Sequence, residues 1–142
     1  MTSIPGQTPS LPDTKTILLA DDDVDFAEAL RLALETAGYR VITAHTAQQA
    51  TALLQEQRVD LAVLDMMMEE TDAGIILAHH LRRQPETATI PIILLTAVTE
   101  ATGFRVSLDN PDDRSWLKVD AWADKPVDTT RLLQEIRRLI GP

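Results

Sequence analysis

The sequence predicts an α/β domain on a mostly parallel five-stranded sheet, and three observations carry that reading. Short apolar runs alternate with stretches whose apolar residues recur every three or four positions, the pattern of successive strand and helix units. Two runs, Ile17-Leu18-Leu19-Ala20 and Leu61-Ala62-Val63-Leu64, pass directly into aspartates: Asp21, Asp22 and Asp23 with Asp25 close behind, and Asp65. Finally, 44% of the 142 residues are hydrophobic but only one is Tyr, two are Phe and two are Trp, so a single aliphatic core is expected.

Each element follows from local signals. The first strand is Thr16 to Ala20. Phe26, Ala29, Leu30, Ala33 and Leu34 then recur at helical spacing, and Gly38 is placed to end that helix. The second strand is Tyr39 to Ala44, followed by a helix that the Thr46 hydroxyl caps and that carries Ala50, Leu53 and Leu54. The third strand is Leu61 to Leu64. A helix over Ala73 to Arg83 carries Ile75, Ile76, Leu77 and Leu81, and Pro85 stops its continuation. The fourth strand is Ile92 to Leu95, with Pro91 tolerable at its start, and a short fifth lies near Asp120 to Ala123. Asp128 caps a last helix through Leu132, Leu133, Ile136 and Ile140. Between Thr96 and Lys125, Gly103, Asn110-Pro111 and several aspartates replace a sustained apolar stripe, so the fourth helix is expected to be short or altered.

Composition excludes several roles. The first 14 residues, with Pro5, Pro9 and Pro12, cannot bury enough apolar surface to order themselves and are expected to form a flexible tail before a domain over 15–141. Thirteen basic against 22 acidic residues give a net charge of −9, which opposes a nucleic-acid partner. No apolar stretch approaches the length of a membrane helix, the N-terminus lacks the regions of a signal peptide, and no cysteine is present, so the expected location is cytoplasmic.

Carboxylates gathered at one sheet edge repel one another unless a metal or a basic side chain offsets them. Four segments in order, Ile17 to Asp23, Asp60 to Asp65, Pro91-Ile92-Ile93-Leu94-Leu95-Thr96-Ala97 and Asp124-Lys125-Pro126-Val127, place polar residues at the carboxyl ends of four predicted strands. Together they resemble a response-regulator receiver domain, the phosphoacceptor module of two-component signalling, over about Thr16 to Ile140. The resemblance implies a flavodoxin-like, doubly wound sheet of order 2-1-3-4-5. It implies phosphorylation of Asp65 by a histidine kinase or phosphotransfer protein, with output through contact with a further protein and no membrane insertion. It also implies Mg²⁺ held by Asp21, Asp22, Asp65 and the backbone carbonyl of Met67. Thr96 and Lys125 would bind phosphoryl oxygens, and Trp122 matches the aromatic position that turns inward as the threonine moves. Such a domain catalyses only its own phosphorylation and dephosphorylation. The residues two beyond Asp65 and two beyond Thr96, which would orient a hydrolytic water, are Met67 and Val98 and cannot hydrogen-bond it, so a long-lived aspartyl phosphate is expected.

Plainer readings stand beside these. Asp23 and Asp25 serve as first-turn residues of a helix, a one-residue slip would pair Asp22 with Asp23, Trp122 can be core, and His79-His80 face different ways on a helix. Three features depart from the family: Glu69 replaces the usual proline and Gly74 lies one residue further from Asp65 than in the common pattern, the Thr96 to Lys125 interval is long, and the chain ends at Pro142, from which a stand-alone receiver is expected. The alternatives are a phosphorelay intermediate without output, and a haloacid-dehalogenase-type phosphatase, for which Asp21 and Asp23 have the required spacing.

Overall fold

The computed structural model describes residues 14–66, 73–96 and 119–141. Within them, strands and helices alternate as β1 (Thr16–Ala20), α1 (Val24–Thr36), β2 (Arg40–Ala44), α2 (Ala47–Glu56), β3 (Leu61–Asp65), α3 (Ala73–Arg83), β4 (Ile92–Thr96), β5 (Ala121–Asp124) and α4 (Thr129–Ile140). The strands are all parallel, in the order β2-β1-β3-β4-β5 that the resemblance implied. The N-terminal tail and the expected short or altered helix between β4 and β5 lie outside the described residues.

The period of two along each strand divides the core between the two faces of the sheet. Leu18, Ala20, Ala62, Leu64, Ile92 and Leu94 pack beneath α2 and α3, against Ala50, Ile75, Leu77, Ala78 and Leu81. Ile17, Leu19, Leu61, Val63, Ile93 and Leu95 face the other way, against Ala27, Leu30 and Leu34 of α1 and Leu132 and Ile136 of α4. With helices on both sides, β3 and β4 are buried at every position, which is why they read as unbroken apolar runs. Each buried Leu or Ile contributes roughly 1.5–3 kcal/mol.

Helix starts are fixed by side-chain caps worth about 1 kcal/mol each. Thr46 Oγ1 accepts from the Gln49 amide at 3.0 Å, and the Asp128 carboxylate accepts from the Thr130 and Arg131 amides at 3.0 and 3.3 Å, as expected. Asp23, read from sequence as a first-turn residue, is the cap of α1, accepting from the Phe26 amide at 3.1 Å. Gly38, at φ 106°, makes the turn into β2 in a backbone region that costs other residues strain. Tyr39, expected to open β2, lies buried just before it and donates its hydroxyl to the Gly141 carbonyl at 3.0 Å.

At the amino-terminal edge, carboxylates clamp the strand register. Asp60 accepts from the Thr16 amide at 2.7 Å and donates its own amide to the Thr16 carbonyl. Asp120 Oδ2 accepts from both the Ile92 amide at 2.8 Å and Arg82 at 2.7 Å, so it ties the start of β4 to α3. These anchors leave the opposite, carboxyl-terminal edge as the place where strand ends converge.

Candidate functional site

Register alone brings the predicted residues together. Ala20 of β1 is the partner of Leu64 of β3, so the next residues, Asp21 and Asp65, emerge side by side at the carboxyl edge. Asp65 is the partner of Leu95, Thr96 of Asp124, and Lys125 follows directly, its amide bonded to the Thr96 carbonyl at 2.8 Å. Four strands thus each deliver a polar residue to one level.

Asp21 is fully buried, Asp65 is 3% exposed, and Asp22 is exposed. One oxygen from each of the three lies within 4.8 Å of the other two. The Lys125 ammonium enters this group, 2.8 Å from Asp21 Oδ2 and 3.4 Å from Asp65 Oδ2. It rests 4.6 Å from the centroid of the Phe26 ring, a cation–π contact. Burial alone would lower the lysine pKa, but the hydrogen bond to Asp21 and the charges of Asp65 and Asp21 outweigh it and raise the value above the usual lysine range. Three carboxylates against one ammonium leave an excess negative charge, and their oxygens are the hard donors that a small divalent cation prefers. The residues present therefore fit Mg²⁺.

The site has a supporting shell that sequence reasoning did not assign. Asp21 Oδ1 accepts from the Asp23 amide at 2.9 Å, so the α1 cap and the carboxylate orient each other. His45, at the end of β2, sets Nδ1 3.1 Å from the Asp21 carbonyl oxygen. Gly74 matters most: a Cβ there would lie 2.0 Å from the Asp65 carbonyl oxygen and 2.8 Å from Met66 Cα. The start of α3 therefore passes directly over the end of β3, held by the Gly74 amide on the Met66 carbonyl at 3.0 Å. Gly74 lies nine residues past the strand-end Asp65, and a glycine at the entry to the following helix is the sequence signal for such an approach.

Thr96 is buried and donates its hydroxyl to Asp124 Oδ1 at 2.6 Å. Trp122 is half-buried against the α2 and α3 side of the core. His79 is partly buried and His80 exposed, so the two rings do face apart. Met67, Glu69, Val98 and the rest of 67–72 and 97–118 lie outside the described residues.

The model of the response regulator receiver domain matches residues 17–137. The chain belongs to the response-regulator receiver family. Among characterised proteins, this receiver is 37% identical over 131 residues to the phosphate regulon transcriptional regulatory protein PhoB of Pseudomonas aeruginosa, covering 90% of this chain and 54% of that one. It spans about half the length of the curated relatives it matches. Among solved structures, the receiver superposes on the chemotaxis response regulator CheY4 of Vibrio cholerae with a TM-score of 0.75 at 25% identity, covering 89% of this chain and 98% of that one. It shares its fold with the receiver domain of the sensor histidine kinase PA1611 of Pseudomonas aeruginosa, at a TM-score of 0.72 and 24% identity, over 91% of this chain and 99% of that one. That structure has a magnesium ion coordinated in its active-site cleft. Among the described residues, no helix is long and apolar enough to cross a membrane.

Proposed function

We propose that this receiver is phosphorylated on Asp65 by a histidine kinase or phosphotransfer protein and passes the signal on by contact with a further protein. The observation that carries the reading is the grouping of Asp21, Asp22 and Asp65 at one sheet edge, closed by the Lys125 ammonium at 2.8 and 3.4 Å. Asp21, Asp22 and Asp65 would hold Mg²⁺, as the magnesium in the related cleft suggests. When bound, the ion neutralises charge on the incoming phosphoryl group.

A carboxylate oxygen of Asp65 attacks phosphorus, and the bond to the donor breaks with its electron pair leaving on the donor, giving an aspartyl phosphate. Lys125 offsets the added negative charge and pairs with one phosphoryl oxygen. Thr96 donates its hydroxyl to another. Little further chemistry is asked of the chain, because positioning and charge compensation carry such a transfer. The net charge of −9 supports a protein partner in preference to nucleic acid for this domain.

The phosphatase alternative needs the carboxylate of Asp23 beside that of Asp21. Asp23 instead spends its side chain on the Phe26 amide as the cap of α1, which speaks against that reading. The test is incubation with acetyl phosphate and Mg²⁺ followed by intact-mass measurement. One added phosphoryl group is expected, abolished in Asp65→Ala and retained in Asp23→Ala. Labelling that survives Asp65→Ala and disappears in Asp21→Ala overturns the proposal in favour of the phosphatase.

A further inference from the structure

We propose that Asp124 is a latch on Thr96, a positioning residue that holds the hydroxyl turned toward β5 and that phosphorylation has to displace. This inference rests on the assignment of Asp65 as the phosphoacceptor. Thr96 lies on β4, between β3, which carries Asp65, and β5, which carries Asp124. Its hydroxyl donates to Asp124 Oδ1 at 2.6 Å, with the Ala123 carbonyl a distant second acceptor at 3.5 Å. The donor is thus committed to the side of the strand opposite Asp65. At 2.6 Å, a hydroxyl bonded to a carboxylate falls in the range of charge-assisted hydrogen bonds, the stronger class.

A threonine hydroxyl has one proton to donate. A phosphoryl group on Asp65 and the carboxylate of Asp124 are therefore competitors for the same donor, and Thr96 can satisfy only one of them. Thr96 is 2% exposed, so its hydroxyl needs a partner in either state, whereas Asp124 is exposed and recovers water when it is released. Asp124 then sets how far the equilibrium leans toward the resting state without being part of the phosphorylation chemistry.

The same ladder carries the consequence outward. Thr96 and Asp124 are register partners, as are Leu94 and Trp122 two residues earlier, so all four project to one face of the sheet. Release of Thr96 removes a side-chain tie between the ends of β4 and β5 on the face where Trp122 packs. Asp124 immediately precedes Lys125, so the latch and the phosphoryl-binding lysine share one strand end.

The experiment measures beryllofluoride affinity in saturating Mg²⁺ for the parent, Asp124→Ala, Thr96→Val and the double variant, with the Trp122 indole followed by NMR in a Trp116→Phe background. Asp124→Ala is expected to bind beryllofluoride roughly five- to tenfold more tightly, on the order of one part-buried hydrogen bond. Its unliganded Trp122 signal is expected to move toward the liganded position, and the gain should vanish when Thr96 is Val. Affinity equal to or weaker than the parent in Asp124→Ala overturns the latch. A gain of the same size in the Thr96→Val background also overturns it, since the effect then comes from charge alone. A parent that binds no beryllofluoride removes the assignment of Asp65 and the latch with it, an outcome distinct from a parent that binds and a variant that does not differ.

Discussion

The Lys125 ammonium stands closer to Asp21, at 2.8 Å, than to Asp65, at 3.4 Å. Asp21 is fully buried, so it makes the greater demand on the only cation found in the group among the described residues. The lysine is thereby held in place by one carboxylate while it faces the other.

Removing that ammonium should be costly. Lys125→Met leaves the buried Asp21 carboxylate uncompensated and is expected to lower stability by about 3 kcal/mol, measured by urea unfolding. The lysine pKa is raised, so its contribution is complete at neutral pH and is lost only as pH rises through that raised value. The difference between parent and variant should therefore stay flat from about pH 6 to about pH 9. A difference that fades within that window would show that the ion pair is not its source.

Mg²⁺ should stabilise the folded state by mass action, by about 2.7 kcal/mol at a hundredfold excess over its Kd. Asp65→Asn removes one of three clustered charges and is expected to raise the melting temperature without metal while weakening the response to it. A melting scan with no shift in millimolar Mg²⁺ and no gain for Asp65→Asn would count against the clustered-carboxylate site.

Gly74→Ala sets a methyl group against the Asp65 backbone, where a Cβ has only 2.0 Å. A backbone neighbour cannot swing aside as a side chain end can, so the expected cost is at least about 2–3 kcal/mol, together with impaired acetyl phosphate labelling. Gly38→Ala meets open space but has a positive φ, and should cost about 1 kcal/mol with labelling intact. Equal labelling in the two variants would separate Gly74 from the site.

Met67→Asn and Val98→Glu are each expected to speed loss of the aspartyl phosphate, because each supplies a hydrogen-bonding side chain where the sequence has none. Decay of the phosphorylated protein, followed by intact mass, checks this. Unchanged decay in both variants removes the expectation of a long-lived phosphate.

The strand and helix order was legible because β3 and β4, covered on both faces, can only be apolar runs, and because Thr46 and Asp128 cap their helices through local chemistry. Asp21, Asp65, Thr96 and Lys125 were legible as strand-end residues, since a parallel sheet brings such ends to one edge. What escaped was the set of contacts that depends on three-dimensional proximity. Phe26 reads as an ordinary helix position until the turn of α1 brings its ring beside Lys125. Asp124 sits inside a motif that drew attention to its neighbours, and only the β4–β5 register reveals Thr96 as its partner. Asp23 reads from sequence as a first-turn residue because a cap and a first-turn acid differ by one residue of boundary.

The contacts around Tyr39 and Arg40 carry a practical consequence. The Tyr39 hydroxyl reaches the Gly141 carbonyl and the Arg40 amide reaches the Lys15 carbonyl, so the start of β1 and the end of α4 meet at the start of β2, on the edge opposite Asp65. A short linker between those two points would make circular permutants, with new termini opened in a surface loop, or allow insertion of this body into a loop of a host protein. Attachments at either point would leave the carboxylate edge clear.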